Sequence, residues 1–150
     1  MTLTKNPDQM LKQFKGFMGS LGAKLVSWGP KHATIELNVT NVHLNAMDIV
    51  HGGVIAALID TAGAHAGILC EETGRIKKAM TISVNVNLVG NISSGMLIAS
   101  ARLRKSGKTI FLAACDVCDE DGNLLATGEV VGRYGKTQNA NIEKPLEQIP

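Results

Sequence analysis

Residues 51–70 read HGGVIAALIDTAGAHAGILC, and from Gly52 to Cys70 the only charged side chain is Asp60. Projected at about 100° per residue, Val54, Ile55, Leu58, Ile59, Ala62 and Leu69 fall on one broad side. Asp60 falls on the other, among Ala56, Gly63, Ala64 and Gly67. Such a run has no polar face wide enough for water. It reads as one helix over Gly53–Cys70, buried by the rest of the chain and ended by the charged, Gly-containing stretch 71–74. Its Gly and Ala content and His65 set it apart from a membrane span. A face of small residues lets another backbone, a second subunit or a ligand come close. A lone carboxylate there is costly to bury unless it is paired or used, and the plain alternative is an exposed acid on a helix edge.

Outward from this helix the pattern changes to period two. Upstream, Ala23–Trp28 and His32–Thr40 read as strands joined at Gly29-Pro30. In the second, Ala33, Ile35, Leu37 and Val39 alternate with Thr34, Glu36 and Asn38. A polar connector, Asn41 to Val50, leads into the helix. Downstream, Ala79–Val89, Met96–Lys105, Lys108–Asp119 and Asn123–Tyr134 read as four more strands, with Ser106-Gly107 and Asp121-Gly122 placed as hairpin turns. Ser83, Asn85 and Asn87 alternate with Val84, Val86 and Leu88, which gives that strand one polar and one apolar face. At the start, Asn6-Pro7-Asp8 has the form of a helix entry, and Met10, Leu11, Phe14, Phe17 and Met18 recur at helical spacing. A short amphipathic helix to about Met18 is expected, with residues 1–22 forming this helix and a linker and residues 136–150 a polar tail. The whole is one α+β domain over 1–150, a long helix wrapped by a curved antiparallel sheet of about six strands.

Composition narrows the function. The 150 residues are 45% hydrophobic and 19% charged, which supports a packed core and excludes a disordered chain. Aromatic residues are only 3%, too few for a base-stacking surface. Fifteen basic residues against 13 acidic leave a net charge of +2, so whole-protein charge implies neither nucleic acid nor an anionic membrane as partner. Three cysteines make no disulfide framework, and free thiols fit a reducing compartment. The first 22 residues lack the apolar run and cleavage site of a signal peptide, so a cytoplasmic location is expected.

Three features carry possible chemistry. His51-Gly52-Gly53 stands where the helix begins, and a helix N-terminus offers unpaired N–H groups that glycine lets a substrate oxygen approach. The plain alternative is a sharp entry turn. Asn45, in the connector, has the side chain to orient a water or a carbonyl, though an Asn in a loop is usually a turn residue. Asp60 is the carboxylate of the helix itself.

Together these residues form a recognisable set. The run from Asn45 through His51-Gly52-Gly53 to Asp60 resembles the signature of hotdog-fold acyl-CoA thioesterases, in the phenylacetate-degradation (PaaI-like) branch. The order of elements resembles that family over nearly the whole chain. The sequence departs from the pattern at Asp48, where the family commonly has Gly. The resemblance implies that Asp60 is the general base or nucleophile and that the N–H groups of Gly52 and Gly53 polarise the thioester carbonyl. It further implies that Asn45 positions water or the acyl group, that His51 supports the helix entry, and that Ser83 supplies a hydroxyl near the site. It implies a site at a dimer interface, where Asp60 faces the glycines of the neighbouring chain, and assembly of dimers into a tetramer. The reaction it implies is hydrolysis of an acyl-CoA to free acid and coenzyme A, with no metal and no cofactor expected. The same fold without turnover would be an acyl-CoA sensor. A hydratase acting on enoyl-CoA would need a positioned His beside an acid, a spacing that is missing.

Two basic clusters suit the phosphates of coenzyme A: Arg75, Lys77 and Lys78, and the group Arg102, Arg104, Lys105 and Lys108 around Ser106-Gly107. Given the resemblance, Arg104, Lys105, Gly107 and Lys108 are the expected nucleotide contacts. Ordinary solubilising charge is the plain reading of each cluster alone. Cys115 and Cys118 form half of a metal motif with no second pair, and as strand residues three apart they point to opposite faces. His65 reads as a core histidine. No serine-hydrolase elbow, P-loop or dinucleotide fingerprint is present.

Overall fold

A computed structural model describes residues 12–69 and 75–135. The expected tail over 136–150, the break at 71–74 and the first half of the expected N-terminal helix lie outside the described residues. The chain runs β1 (Lys12–Gln13), α1 (Gly16–Ser20), β2 (Lys24–Gly29), β3 (His32–Asn38), α2 (Gly52–Ile68), β4 (Ala79–Leu88), β5 (Met96–Ser106), β6 (Ile110–Cys118) and β7 (Leu124–Tyr134). The strands form one antiparallel sheet in the order β1-β2-β3-β5-β6-β7-β4. Six are the strands that alternation predicts. The seventh, β1, is two residues long.

That short strand corrects the N-terminal expectation. Lys12 and Gln13 pair with Leu25 and Lys24 at the sheet edge, so the helix expected to run to Met18 does not include them. The helix is the five residues Gly16–Ser20, entered at a glycine with φ +62°. Phe14, Met18 and Leu21 still pack on the core, so the apolar spacing marked burial and not one continuous helix.

α2 lies across the sheet because β4, the next strand in sequence, joins the far edge beside β7 while β3 pairs with β5. Its Val54, Ile55, Leu58, Ile59, Ala62 and Ala66 are buried against inward residues of the strands, among them Ile35, Leu37, Leu97, Ala99, Ala113 and Val130. Two small residues that the wheel grouped with Asp60 turn out to serve this contact. A Cβ on Gly63 would run into Val130, and one on Gly67 into the ring of Phe111. A Cβ on Gly132 of β7 would meet the same ring from the other side. Phe111 therefore fills the space that two glycines leave between helix and sheet. Ala56, Asp60 and Ala64 remain half-buried.

His65 is held on the opposite flank. Its Nδ1 lies 2.8 Å from the Thr61 carbonyl and its own carbonyl accepts the Trp28 indole N–H at 2.9 Å. The rings of Phe14 and Trp28 meet it edge-on. Burial holds its pKa below the ordinary 6.5, against the raising effect of the Thr61 carbonyl.

Two stability measurements follow from this packing. Phe111→Ala should cost about 3–5 kcal/mol in urea unfolding. Gly67→Ala should also destabilise, because overpacking at about 1–3 kcal/mol outweighs a helix-propensity gain near 1 kcal/mol. The depressed His65 pKa means that the unfolded chain takes up a proton near pH 6.5 that the folded chain refuses. This group's stability contribution is therefore full above pH 6.5 and lost as pH falls below it, by at most about 1.4 kcal/mol per pH unit. Unfolding midpoints across pH 4.5–8 should show the loss, and His65→Gln should flatten it.

Candidate active site

The connector sets the entry of α2. A 3-10 turn at Asn41–His43 brings His43 inside, where it is the one buried polar side chain of the described residues. Its Nδ1 accepts the Thr40 N–H at 2.9 Å, and its Nε2 donates to the Leu21 carbonyl at 2.8 Å. Its carbonyl accepts the His51 N–H at 2.8 Å. His51 is the N-cap of α2, and its Nδ1 accepts the Gly53 N–H at 2.8 Å. Its carbonyl accepts the Val54 N–H at 2.9 Å. The two glycines thus differ. Gly53 spends its N–H on the cap, whereas the Gly52 N–H has no hydrogen-bond acceptor among the described residues. Of the donors expected for a carbonyl oxygen, Gly52 is the open one.

Asn45 is first a turn residue. Its Oδ1 accepts from the N–H groups of Met47 and Ile49, at 2.8 and 3.4 Å. Its carbonyl accepts from Asp48 at 3.0 Å. Only the Nδ2 donor is left to reach outward. Asp48 adopts φ +57°, a conformation that Asp tolerates better than most side chains, so the turn survives where the family pattern has Gly.

Asp60 has a partner that alternation does not reveal. The Thr81 hydroxyl donates to its Oδ1 at 2.7 Å. In a regular strand Thr81 would share the outer face with Ser83. The register slips between Thr81 and Ser83, with Ile82 as the extra residue, and this bulge turns Thr81 toward the helix. Ser83, opposite Val131, is exposed on the face away from α2, so within one chain it does not meet Asp60. Thr81 is the hydroxyl beside the carboxylate.

The remaining candidates lie elsewhere. Arg104, Lys105, Gly107 and Lys108 are all exposed around the β5–β6 turn, where the Gly107 N–H donates to Ile110 at 2.8 Å. Tyr134 ties this turn to the end of α2: its hydroxyl donates to the Gly67 carbonyl at 2.8 Å and lies 2.9 Å from the Ser106 hydroxyl. Lys77 stands 4.5 Å over the same ring. Lys77 and the β5–β6 turn therefore meet where α2 ends, about 25 Å along a 17-residue helix from Gly52. Cys115 is buried, and its thiol is pushed up to about 12 by that burial and then by Asp116 and Cys118, so it is no nucleophile at neutral pH. Among the described residues no three His, Cys, Asp or Glu gather where one metal ion could be held. No helix among them is long and apolar enough to cross a membrane.

A long helix laid across one antiparallel sheet is a known architecture. The family model described as thioesterase superfamily matches residues 47–126, from the connector through α2 into β7. The chain belongs to the thioesterase superfamily. It is similar to acyl-coenzyme A thioesterase 13 of Mus musculus, 29% identical over 140 residues that cover 89% of this chain and 98% of that one. The Homo sapiens protein of the same name is 29% identical over 126 residues, covering 83% and 86%. Among solved structures, a Haemophilus influenzae thioesterase superposes with a TM-score of 0.70 at 26% identity, covering 77% and 79% of the two chains. The E. coli PaaI protein from the phenylacetic acid degradation operon gives 0.71 at 21% identity, covering 79% and 83%, a likeness of fold. The thioesterase-superfamily, or hotdog, fold is thus the one read from the order of elements.

In this thioesterase-superfamily chain the cap is testable by itself. His51→Ala should lower stability by about 1 kcal/mol in thermal melts, and His51→Asn should recover most of it, because Asn restores a side-chain acceptor at the N-cap.

Proposed function

We propose that the chain is an acyl-CoA thioesterase whose active site is completed by a second copy. The observation that carries this reading is the separation of its two reactive ends. Asp60 lies eight residues, about 12 Å, along α2 from Gly52. A carboxylate acting on a carbonyl carbon, directly or through one water, and the N–H donor to that carbonyl's oxygen must lie within a few ångströms of one group. One chain's Asp60 and Gly52 are too far apart. Two copies related by a twofold axis with antiparallel α2 helices would set Gly52 of one against Asp60 of the other.

The exposed side of the fold supports such pairing. β4 is the sheet edge, and Met80, Ile82, Leu88 and Val89 are all more than half exposed, from 55% to 73%. Among the described residues β4 pairs on one side only, and a ten-residue edge with apolar side chains asks for a partner strand, for which a twofold interface is the simplest that closes. Ala56, Asp60 and Ala64 of α2, half-buried, lie on the same flank as β4. Assembly of two such dimers into a tetramer goes with the family resemblance.

In the proposed reaction the Gly52 N–H donates to the thioester oxygen as negative charge develops there. Thr81 holds one oxygen of Asp60 and leaves Oδ2 for the reaction. Asp60 then either takes a proton from an attacking water or attacks the carbonyl to give a mixed anhydride that water cleaves. The coenzyme A thiolate leaves and is protonated, and the acyl group departs as the free acid. The Asn45 Nδ2 stands as a second donor, and Arg104, Lys105 and Lys108 with the Gly107 turn hold phosphates. A thioester is already activated, so oriented donors and one carboxylate suffice and the proposal includes no cofactor. The similarity to proteins named acyl-coenzyme A thioesterase supports the substrate class.

Release of coenzyme A thiol from a panel of phenylacetyl, benzoyl and straight-chain thioesters tests the activity. Asp60→Asn should lower kcat by at least about 100-fold, and Thr81→Val by about tenfold with little change in KM. Gly52→Pro deletes the N–H while suiting the first helical position, and His51 already has the extended φ −63°, ψ 132° that a following proline requires. Mixed and refolded together, the inactive Asp60→Asn and Gly52→Pro chains should recover about one quarter of wild-type turnover, because random mixed dimers hold one intact site. No recovery, with dimers confirmed, would overturn the shared site. Full turnover in Asp60→Asn would overturn the role of the carboxylate.

A further inference from the structure

A second group of side chains stands on the face of the sheet that α2 does not touch. β3 and β5 pair His32 directly with Arg102, and Thr34 directly with Ser100. The residues between them, Ala33 and Ala101, are buried against the core, so these four side chains point the other way. All four line an open depression of about 520 Å³ on the sheet surface, with Lys31 at its rim; His32, Ser100 and Arg102 are exposed and Thr34 is half-buried.

The chemistry of the lining is one-sided. Two side chains able to carry positive charge face each other across neighbouring strands, an arrangement that weakens a sheet. Arg102 has no ion-pair partner among the described residues, and the Thr34 and Ser100 hydroxyls make no hydrogen bond there. The His32 ring makes only long contacts, 3.3 Å to the Ser27 hydroxyl and 3.3 Å to the Pro30 carbonyl. No carboxylate lines the depression. Glu36, two residues beyond Thr34, and Asp116, opposite Ser100 on β6, are the acids next in register, and both lie outside the lining. A guanidinium and an imidazole beside two unbonded hydroxyls, all on interior strands of the sheet, make a set of donors with no carboxylate in the lining.

We infer that this depression binds a phosphoryl group, as a phosphate monoester seated on Arg102 and His32 with Thr34 and Ser100 donating to its oxygens. The site is separate from the one on α2, because the sheet itself lies between them. It divides the basic cluster around Ser106-Gly107: Arg102 belongs with His32, and Arg104, Lys105 and Lys108 belong to the turn. Two sources carry the same chemistry, a free phosphomonoester and the 3′-phosphate of a coenzyme A.

Isothermal titration of the intact protein with inorganic phosphate and with adenosine 3′,5′-bisphosphate tests the site directly, without any assay of turnover. Saturable binding is expected, weakened at least about tenfold by Arg102→Gln and by a smaller factor in Thr34→Val and Ser100→Ala. These positions are on the sheet surface, and circular dichroism with melting curves checks that the variants fold. Lys24→Gln removes the same charge elsewhere and should leave binding unchanged. Absence of saturable binding, or equal weakening by Lys24→Gln and Arg102→Gln, would overturn the site. The source is then read from kinetics. A KM for acyl-CoA raised by Arg102→Gln, with acyl-dephospho-CoA unaffected, assigns the site to the 3′-phosphate. Unchanged KM values with lost phosphate binding assign it to a free phosphomonoester.

Discussion

Covering α2 on nearly every side is the constraint from which the rest of this architecture follows. Seventeen helical residues with a single charge have no face that water can satisfy, and the apolar face of the sheet is broad enough to cover them. The route from β3 to the far edge of the sheet lays the helix across β5, β6 and β7, with Gly63 and Gly67 setting how closely it approaches. Phe111 then fills the gap between Gly67 and Gly132. A chain this poor in aromatic residues places one of its three phenylalanines where the helix meets the sheet, and it does so by keeping Cβ atoms out of the way on both sides.

A buried helix also needs its ends secured. At the entry, His43 joins the exit of α1, the 3-10 turn and the backbone of His51, and His51 in turn caps α2. Among the described residues this chain of bonds leaves the Gly52 N–H without an acceptor. At the far end Tyr134 takes the Gly67 carbonyl and draws two basic segments together. The near-neutral total charge therefore hides a segregation. Lys77, Lys105, Lys108 and Arg133 collect where α2 stops, whereas Asp119, Glu120 and Asp121 occupy the β6–β7 turn at the other end of the same strands.

The edge strand β4 links fold and site. A regular strand would send Thr81 outward with Ser83. The bulge at Ile82 reverses that for Thr81 alone and gives the Asp60 carboxylate a hydroxyl donor. Among the described residues the same strand leaves apolar side chains exposed and one row of backbone groups without a partner strand, and the half-buried Asp60 sits beside it. A carboxylate in that position is supported from within its own chain by the Thr81 hydroxyl.

The sequence by itself determined the long helix and the six main strands, each within two residues of its ends, and it singled out Asn45, His51, Gly52 and Asp60 as candidates, because apolar period and glycine or cap residues act over a few neighbouring positions. It foresaw the short N-terminal helix but not that Lys12 and Gln13 pair as a strand ahead of it, since apolar spacing at Phe14 and Met18 reports burial as readily as helix. Only the tertiary structure decided that Thr81 and not Ser83 meets Asp60, that Gly53 is spent on the His51 cap, that Gly63 and Gly67 face the sheet, and that Arg102 stands with His32. Each of those outcomes depends on a register slip, a cap or a strand pairing between residues far apart in the chain. Local periodicity carries no record of which face a bulge turns or which strand lies alongside.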